Sequence, residues 1–301
     1  MARPSPGPPT PQLADSELNW DALVIKGTSS VIEKDYLRLT SAPNPASVRP
    51  EPVLAQALKL VESKWRAKSC DYTYVCNQMK SIRQDCTSSA PILVYQVQHI
   101  KNELTVRVYE VHARMAIQMR DLNEFNQCQT QLAQLYDHGL AGCRTEFLAY
   151  RVLYSVFVNL QATGDANAGA VALTQVLASV RAEHRADATV AHALEVREAV
   201  ALHDYARFFS LYTGAPPLSA GIMESYIDIM RLQALRIMCK AYLPTLPLAF
   251  IKNALRLEGA DGDAFVAKAG AVFVDAKARD VLVDTKASEI VATRGNANDL
   301  V

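Results

Sequence analysis

From Val53 to about Leu202 the apolar residues of this chain recur every three to four positions, the spacing that lines up one face of an α-helix. Leu54, Leu58, Val61 and Trp65 make the first stripe, Tyr72, Val75, Met79 and Ile82 the second, and Ile100, Leu104, Val108, Val111 and Met115 the third. Phe125, Cys128, Leu132 and Leu135 continue the series, followed by Tyr150, Leu153, Phe157 and Leu160, then Val176, Leu177 and Val180, then Val190, Leu194 and Leu202. The polar breaks at 120–123, 137–142, 164–169 and 185–187 are short, so neighbouring helices run antiparallel. Residues 119–125 (Met-Arg-Asp-Leu-Asn-Glu-Phe) are echoed by 202–208 (Leu-His-Asp-Tyr-Ala-Arg-Phe), as a stack of repeated helical hairpins would produce. The expected fold is mainly α: a TPR-like solenoid of stacked antiparallel hairpins over 21–218.

The pattern changes at both ends. Residues 1–20 are rich in proline and poor in residues that could pack, which predicts a disordered leader. Ser30 and Glu33 make a capping box, which predicts a helix over Val31 to Leu39. Ser41 to Pro52, with prolines at 43, 45, 50 and 52, should be an extended connection, with Pro50 and Pro52 acting as a rigid strap across the stack. Beyond Gly214 the spacing predicts a long helix over Ser219 to Tyr242, a short extended piece at 243–247, helices near 248–257 and 261–268, and alternating strands at 271–275 and 280–284 joined by a polar turn. That order is a winged helix with a small β-hairpin, spanning 219–288, and 289–301 reads as a polar tail.

Charge and cysteine content narrow the function classes. Lys plus Arg equal Asp plus Glu at 31 each, so no broad basic field exists to drive nucleic-acid binding. A local patch is still available: Lys252, Arg256, Lys268, Lys277 and Arg279 fall on the predicted helices and wing and are the candidate RNA-phosphate contacts. Glu258, Asp261, Asp263, Asp275, Asp280 and Asp284 offset them, as a soluble surface alone would require. Six cysteines are too few and too irregular for a secreted disulfide framework. With no signal-like apolar start and no membrane-length apolar run, they predict a reducing intracellular compartment and no membrane partner.

Catalytic and metal chemistry find little support. Cys70, Cys76 and Cys86 lack the short paired spacing of a zinc site, and Cys76 and Cys128 sit on apolar stripes as small hydrophobes. The six histidines are scattered, with no His-x-x-x-His pair. The glycine-bearing segments at 164–169 and 259–262 lack the Gly-Lys-Ser/Thr of a phosphate loop, and no Gly-x-Ser-x-Gly elbow occurs. The expectation is a non-enzyme without cofactor or metal. Phe273, Val281 and Val283 on the predicted hairpin read as core or partner-facing. Lys80, Arg83, Gln84 and Asp85 could contact a partner or form a structural ion-pair cluster between helices.

Hairpin stack followed by winged helix is also the layout of PCI-type subunits of multiprotein assemblies. Five segments carry a closer likeness: Glu33-Lys34-x-Tyr36-Leu37-Arg38-Leu39-Thr40, Val48-Arg49-Pro50-x-Pro52-Val53-Leu54, Gln78-Met79-Lys80-Ser81-Ile82-Arg83-Gln84-Asp85, Val108-Tyr109-Glu110-x-His112-Ala113-Arg114 and Phe125-Asn126-Gln127-Cys128-Gln129-Thr130-Gln131-Leu132. They resemble the GANP-type (SAC/GANP) family of mRNA-export and mRNP-assembly proteins, in particular its branch containing the leukocyte receptor cluster member eight protein. The resemblance covers Val24 to Ser288. It implies a nuclear scaffold that pairs with a second PCI-domain protein and a small acidic peptide-like subunit. It also implies work in mRNA processing, transcription-coupled mRNP assembly or export, with RNA as a candidate ligand of the winged helix. A PCI partner would pack side by side on the winged helix, which makes the edge strand the expected docking site. The alternative is a structural PCI subunit of a proteasome-lid-like assembly. Ser88 to Gln96 departs from the family pattern, as a lineage-specific loop or a gene-prediction error, and Pro91 should interrupt the helix there.

Overall fold

The computed structural model describes residues 24–39, 43–87, 96–98, 100–162, 166–274 and 281–291. The leader, the tail beyond 291, most of the departing segment (88–95) and the wing residues 275–280 lie outside the described residues. The protein divides into two compact units, Met1–Val108 and Tyr109–Val301. No described helix is long and apolar enough to cross a membrane.

The first unit packs α1 (Glu51–Arg66) against α2 (Tyr72–Thr87). Leu54, Leu58 and Val61 of α1 and Val75, Met79 and Ile82 of α2 are almost wholly buried, as their spacing predicts. β1 (Val24–Ile25) pairs in parallel with β2 (Gln96–Val97). α1 starts earlier than expected: Pro50 occupies the N-cap position and Pro52 the first turn, where the missing amide costs nothing. Pro50 and Pro52 therefore begin a helix and are not a strap, and Pro45–Ser47 is a 3₁₀ turn.

The capping-box prediction fails. Residues 30–39 are irregular and extended. The Lys34 and Tyr36 amides donate to the side-chain oxygens of Gln78 (3.1 Å) and Asn77 (2.9 Å) on α2, so amide acceptors across the fold replace i→i−4 carbonyls. Glu33 does not reach back to its own backbone; it takes the Lys64 ammonium at 2.6 Å and the Tyr74 hydroxyl. These bonds, Lys64 first, hold its carboxyl below the ordinary carboxylate range. The real strap is this segment together with 27–29. Gly27 allows the close approach, because a Cβ there would collide with the Val48 carbonyl.

The second unit begins within α3 (Glu103–Gln118) and continues through α4 (Leu122–Asp137), α5 (Arg144–Gln161), α6 (Ala166–Ala178), α7 (Ala188–Ala201) and α8 (Tyr205–Thr213). α5 packs on both α6 and α7, and α7 on α8. The internal echo is a shared corner. Arg120 and His203 both take left-handed backbone, at φ 58° and 54°. The next residue, Asp121 or Asp204, then caps α4 or α8 by accepting the amide of Glu124 (2.9 Å) or Arg207 (3.0 Å). Asp204→Ala is expected to cost about 1 kcal/mol; a thermal scan showing no loss would mean that this cap contributes nothing.

The predicted long C-terminal helix is two: α9 (Pro217–Met223) and α10 (Ile227–Ala241), separated by a 3₁₀ turn at Glu224–Tyr226. Tyr226 and Ile222 are buried at this break, which redirects the backbone without proline. β3 (Thr245–Pro247), α11 (Leu248–Leu255), α12 (Gly259–Lys268), β4 (Val272–Phe273) and β5 (Leu282–Asp284) follow in that order. The strands form an antiparallel sheet ordered β3-β5-β4. Residue alternation predicts only two of these strands, as a hairpin. The third, β3, is the short extended piece that ends at Pro247, and it makes β5 central.

Candidate interaction surfaces

Three of the five motif segments meet at one place in the first unit. Arg49, fully buried at 0% exposure, sends Nε to Asp85 Oδ2 at 2.7 Å, Nη1 to the Ile32 carbonyl at 2.9 Å and Nη2 to Ser81 Oγ at 2.8 Å. Asp85, 1% exposed, takes Lys34 Nζ on its other oxygen at 2.7 Å. Gln98 closes the group by donating to the carbonyls of Arg49 (2.7 Å) and Asp85 (2.8 Å) and accepting the Gly27 amide (3.2 Å). Gln84 donates to the Leu37 carbonyl at 2.9 Å. Both oxygens of the buried carboxylate and all three guanidinium nitrogens are thus engaged, the condition under which a buried pair is tolerated. Asp85 and Gln84 fasten the strap to α2. The predicted cluster lay between helices; the partners of Asp85 are residues 34 and 49, outside any helix, while Lys80 and Arg83 stay part-exposed on α2.

A second buried carboxylate organises the α3–α5 region. Glu110 Oε1 accepts the Tyr136 hydroxyl at 2.7 Å and the Cys143 amide at 2.6 Å, and its Oε2 lies 3.4 Å from the Arg114 guanidinium. Arg114 forks onto Glu146 at 2.9 and 2.7 Å. Burial and the bond to Glu110 push the Tyr136 hydroxyl well above its ordinary range. Sequence reading misses this network, because its members are ordinary helix residues whose partners are set by packing.

His112, Glu124 and Cys128 also converge, buried, with donor atoms within 4.8 Å of one another. His112 Nδ1 is 4.0 Å from Glu124 Oε1. The group offers three donor types that bind zinc, whereas a structural zinc centre takes four. Burial pushes the Cys86 thiol up to about 12, far from thiolate reactivity at neutral pH.

The charged candidates of the C-terminal region separate. Lys252 is committed inside the fold, to Asp263 at 2.5 Å and the Gly259 carbonyl at 2.9 Å, which joins α11 to the start of α12. Arg256 and Lys268 are exposed, Arg256 on the left-handed residue that ends α11. Lys277 and Arg279 lie outside the described residues. Of the partner candidates, Val283 is 0% exposed at the centre of the sheet and cannot face a partner. Phe273 and Val281 are half-buried. At the β4 edge Val272 and Val274 are exposed apolar side chains, 44% and 49% exposed.

Residues 26–273 match the SAC3/GANP family. The protein belongs to that family. Among similar proteins, a THP3 homolog of Schizosaccharomyces pombe is 46% identical over 242 residues, covering 80% of this chain and 56% of the relative. The Leukocyte receptor cluster member 8 homolog of Xenopus laevis is 46% identical over 81% of this chain and 28% of the relative. Protein THP3 of Saccharomyces cerevisiae is 32% identical over 76% of this chain and 46% of the relative. The SAC3/GANP protein thus spans about half or less of these relatives' length. Both networks, around Asp85 and around Glu110, lie inside the family match.

Proposed function

We propose that this SAC3/GANP protein is a non-catalytic scaffold subunit of a nuclear assembly. The assembly acts in mRNA processing, transcription-coupled mRNP assembly or mRNA export, and contains a second PCI-domain protein and a small acidic peptide-like subunit. Family membership supports the class. The single observation that carries the docking mode is the β4 edge: a strand at the end of the sheet, flanked by the exposed Val272 and Val274, with β5 and β3 on its other side. Such an edge offers backbone groups and apolar side chains together, which favours strand-to-strand association with a partner.

Affinity purification of the tagged protein tests the reading. Recovery of a second PCI-domain protein and a small acidic subunit is expected. The double substitution Val272→Asp, Val274→Asp should cut that recovery at least tenfold with the melting temperature unchanged, since both side chains already face water. Companions typical of a proteasome lid would move the protein to another assembly.

Direct RNA contact is a second reading, favoured by the exposed Arg256 and Lys268. Filter binding should then weaken by about an order of magnitude between roughly 50 and 200 mM salt for two to three phosphate contacts. A purified protein that ignores RNA at low salt removes it.

A further inference from the structure

A recess of about 200 Å³ opens in the second unit among α4, α5 and the 3₁₀ turn at Glu183–Ala186. Leu132 and Phe147 line it together with the charged or polar residues Arg144, Arg151, His184 and Asp137. The recess is smaller than the usual small-molecule pocket of roughly 300–1,000 Å³, so its size suits one side chain or one polypeptide terminus.

The donors are unevenly committed. Arg144 is satisfied by the Asp137 carboxylate at 2.9 Å and the Tyr136 carbonyl at 3.2 Å. Arg151 is only part-exposed, and among the described residues no hydrogen bond or ion pair engages its guanidinium. The charges that act on it are Asp137, which favours its cation, and Arg144, which opposes it. Burial disfavours the Arg151 cation most, and Asp137, already bonded to Arg144, offsets that only in part. Buried His184 accepts the Arg181 amide on Nδ1 at 3.2 Å, which places the proton of the neutral ring on Nε2. That nitrogen is 3.7 Å from Glu183 Oε1, beyond hydrogen-bond length, and remains a donor with capacity to spare.

The charges decide which anion fits. Arg144 and Arg151 against Asp137 leave one positive charge, matched by a single negative one. Asp137 and Glu183, 70% and 68% exposed, repel any anion, so a single carboxylate meets that repulsion once whereas an RNA strand brings several adjacent phosphates past them. We propose that this recess receives one carboxylate from a protein partner, either an Asp or Glu side chain or a carboxy-terminal group. Arg151 supplies the guanidinium fork and His184 Nε2 a further donor. The inference rests on the scaffold reading only for the source of the carboxylate.

The test is titration of the whole protein, following the Arg151 Nε–H signal by NMR. The carboxylate probes are N-acetylglutamate N-methylamide and N-acetylglycine. The controls are N-acetylglutamine N-methylamide, inorganic phosphate and a ten-nucleotide oligouridylate. Both carboxylate probes should shift the signal with half-saturation in the millimolar range expected of one charged contact, about 1 mM corresponding to roughly 4 kcal/mol, and the neutral amide should not. Arg151→Gln should lose at least fivefold in affinity, followed on the neighbouring Arg144 signal. Arg151→Lys should lose less, having kept charge without the fork. Asp137→Asn, which removes the competing carboxylate, should bind several-fold tighter. No shift with carboxylates at about 100 mM, phosphate or oligouridylate binding as tightly as the carboxylates, an equal shift from the neutral amide, or weaker binding by Asp137→Asn would each overturn the proposal. If Arg151→Gln does not fold, the Lys and Asn variants decide. A silent titration with protein companions still co-purifying sinks the recess and leaves the scaffold reading standing.

Discussion

Asp85→Ala destabilises the first unit by about 3–5 kcal/mol, the cost of leaving an enclosed cation without its counter-charge. Arg49 has no exposure with which to regain water, and its guanidinium takes Nε, Nη1 and Nη2 to three different acceptors of which only Asp85 is charged. The loss is not confined to one contact. Lys34 donates to both Asp85 and the Ser47 carbonyl at 2.7 Å, so its release loosens the strap at two points. Amide exchange should therefore rise first at residues 27–39, before the buried turns of α2. The double variant Arg49→Met, Asp85→Leu should cost less than Asp85→Ala alone, because an apolar pair needs no counter-charge. Urea unfolding of the three proteins, together with exchange, separates these outcomes. A single variant within about 0.5 kcal/mol of the parent would mean that water reaches Arg49 and the pair is not structural.

The contrast between what was legible and what was not follows from the range of the forces involved. Helix stripes are local: the spacing of Leu54, Leu58 and Val61, or of Phe125, Cys128 and Leu132, finds its buried face in the fold. The order of helices and strands from α10 to β5 was legible for the same reason, whereas Val283, offered as core or partner-facing, lies inside. The strap was not, because Ser30 and Glu33 satisfy every local rule for a helix start. The competitor was non-local: Gln78 and Asn77, more than 40 positions away, capture the amides that a helix would have used. The long C-terminal helix was overdrawn because nothing in 219–242 breaks a helix locally, and burial of Tyr226 sets the turn instead. The motif at 78–85 was legible as special but not as a partner of Lys34 and Arg49, since charge and spacing along the sequence do not encode that meeting. The charged candidates near the C-terminal sheet show the same limit, as Lys252 was visible as a cation while its commitment to Asp263 was not.

Arg114→Gln should be the counterpart in the second unit, with an expected loss of about 2–3 kcal/mol near neutral pH and a distinctive pH dependence. Arg114 forks onto Glu146 and lies 3.4 Å from Glu110, so it holds two acidic groups together, with its guanidinium over the Phe147 ring at 5.2 Å. Burial alone would raise the Glu146 carboxyl, but the Arg114 fork and the Tyr150 hydroxyl outweigh it and hold that carboxyl below its ordinary value of 4.5. A carboxyl depressed in the folded state contributes stability that is present above its unfolded pKa and lost as pH falls through the folded one. The parent should therefore lose stability on acidification below about pH 4.5, as Glu146 takes up a proton it resists when folded. In Arg114→Gln the depression is gone, and burial, which disfavours the charged Glu146, makes its protonation favourable in the folded state. The deficit of the variant should accordingly shrink as pH drops from about 7 towards about 4, so that the two unfolding curves converge. Parallel curves across that range would show that Arg114 acts through packing on Phe147 and not through the two carboxylates.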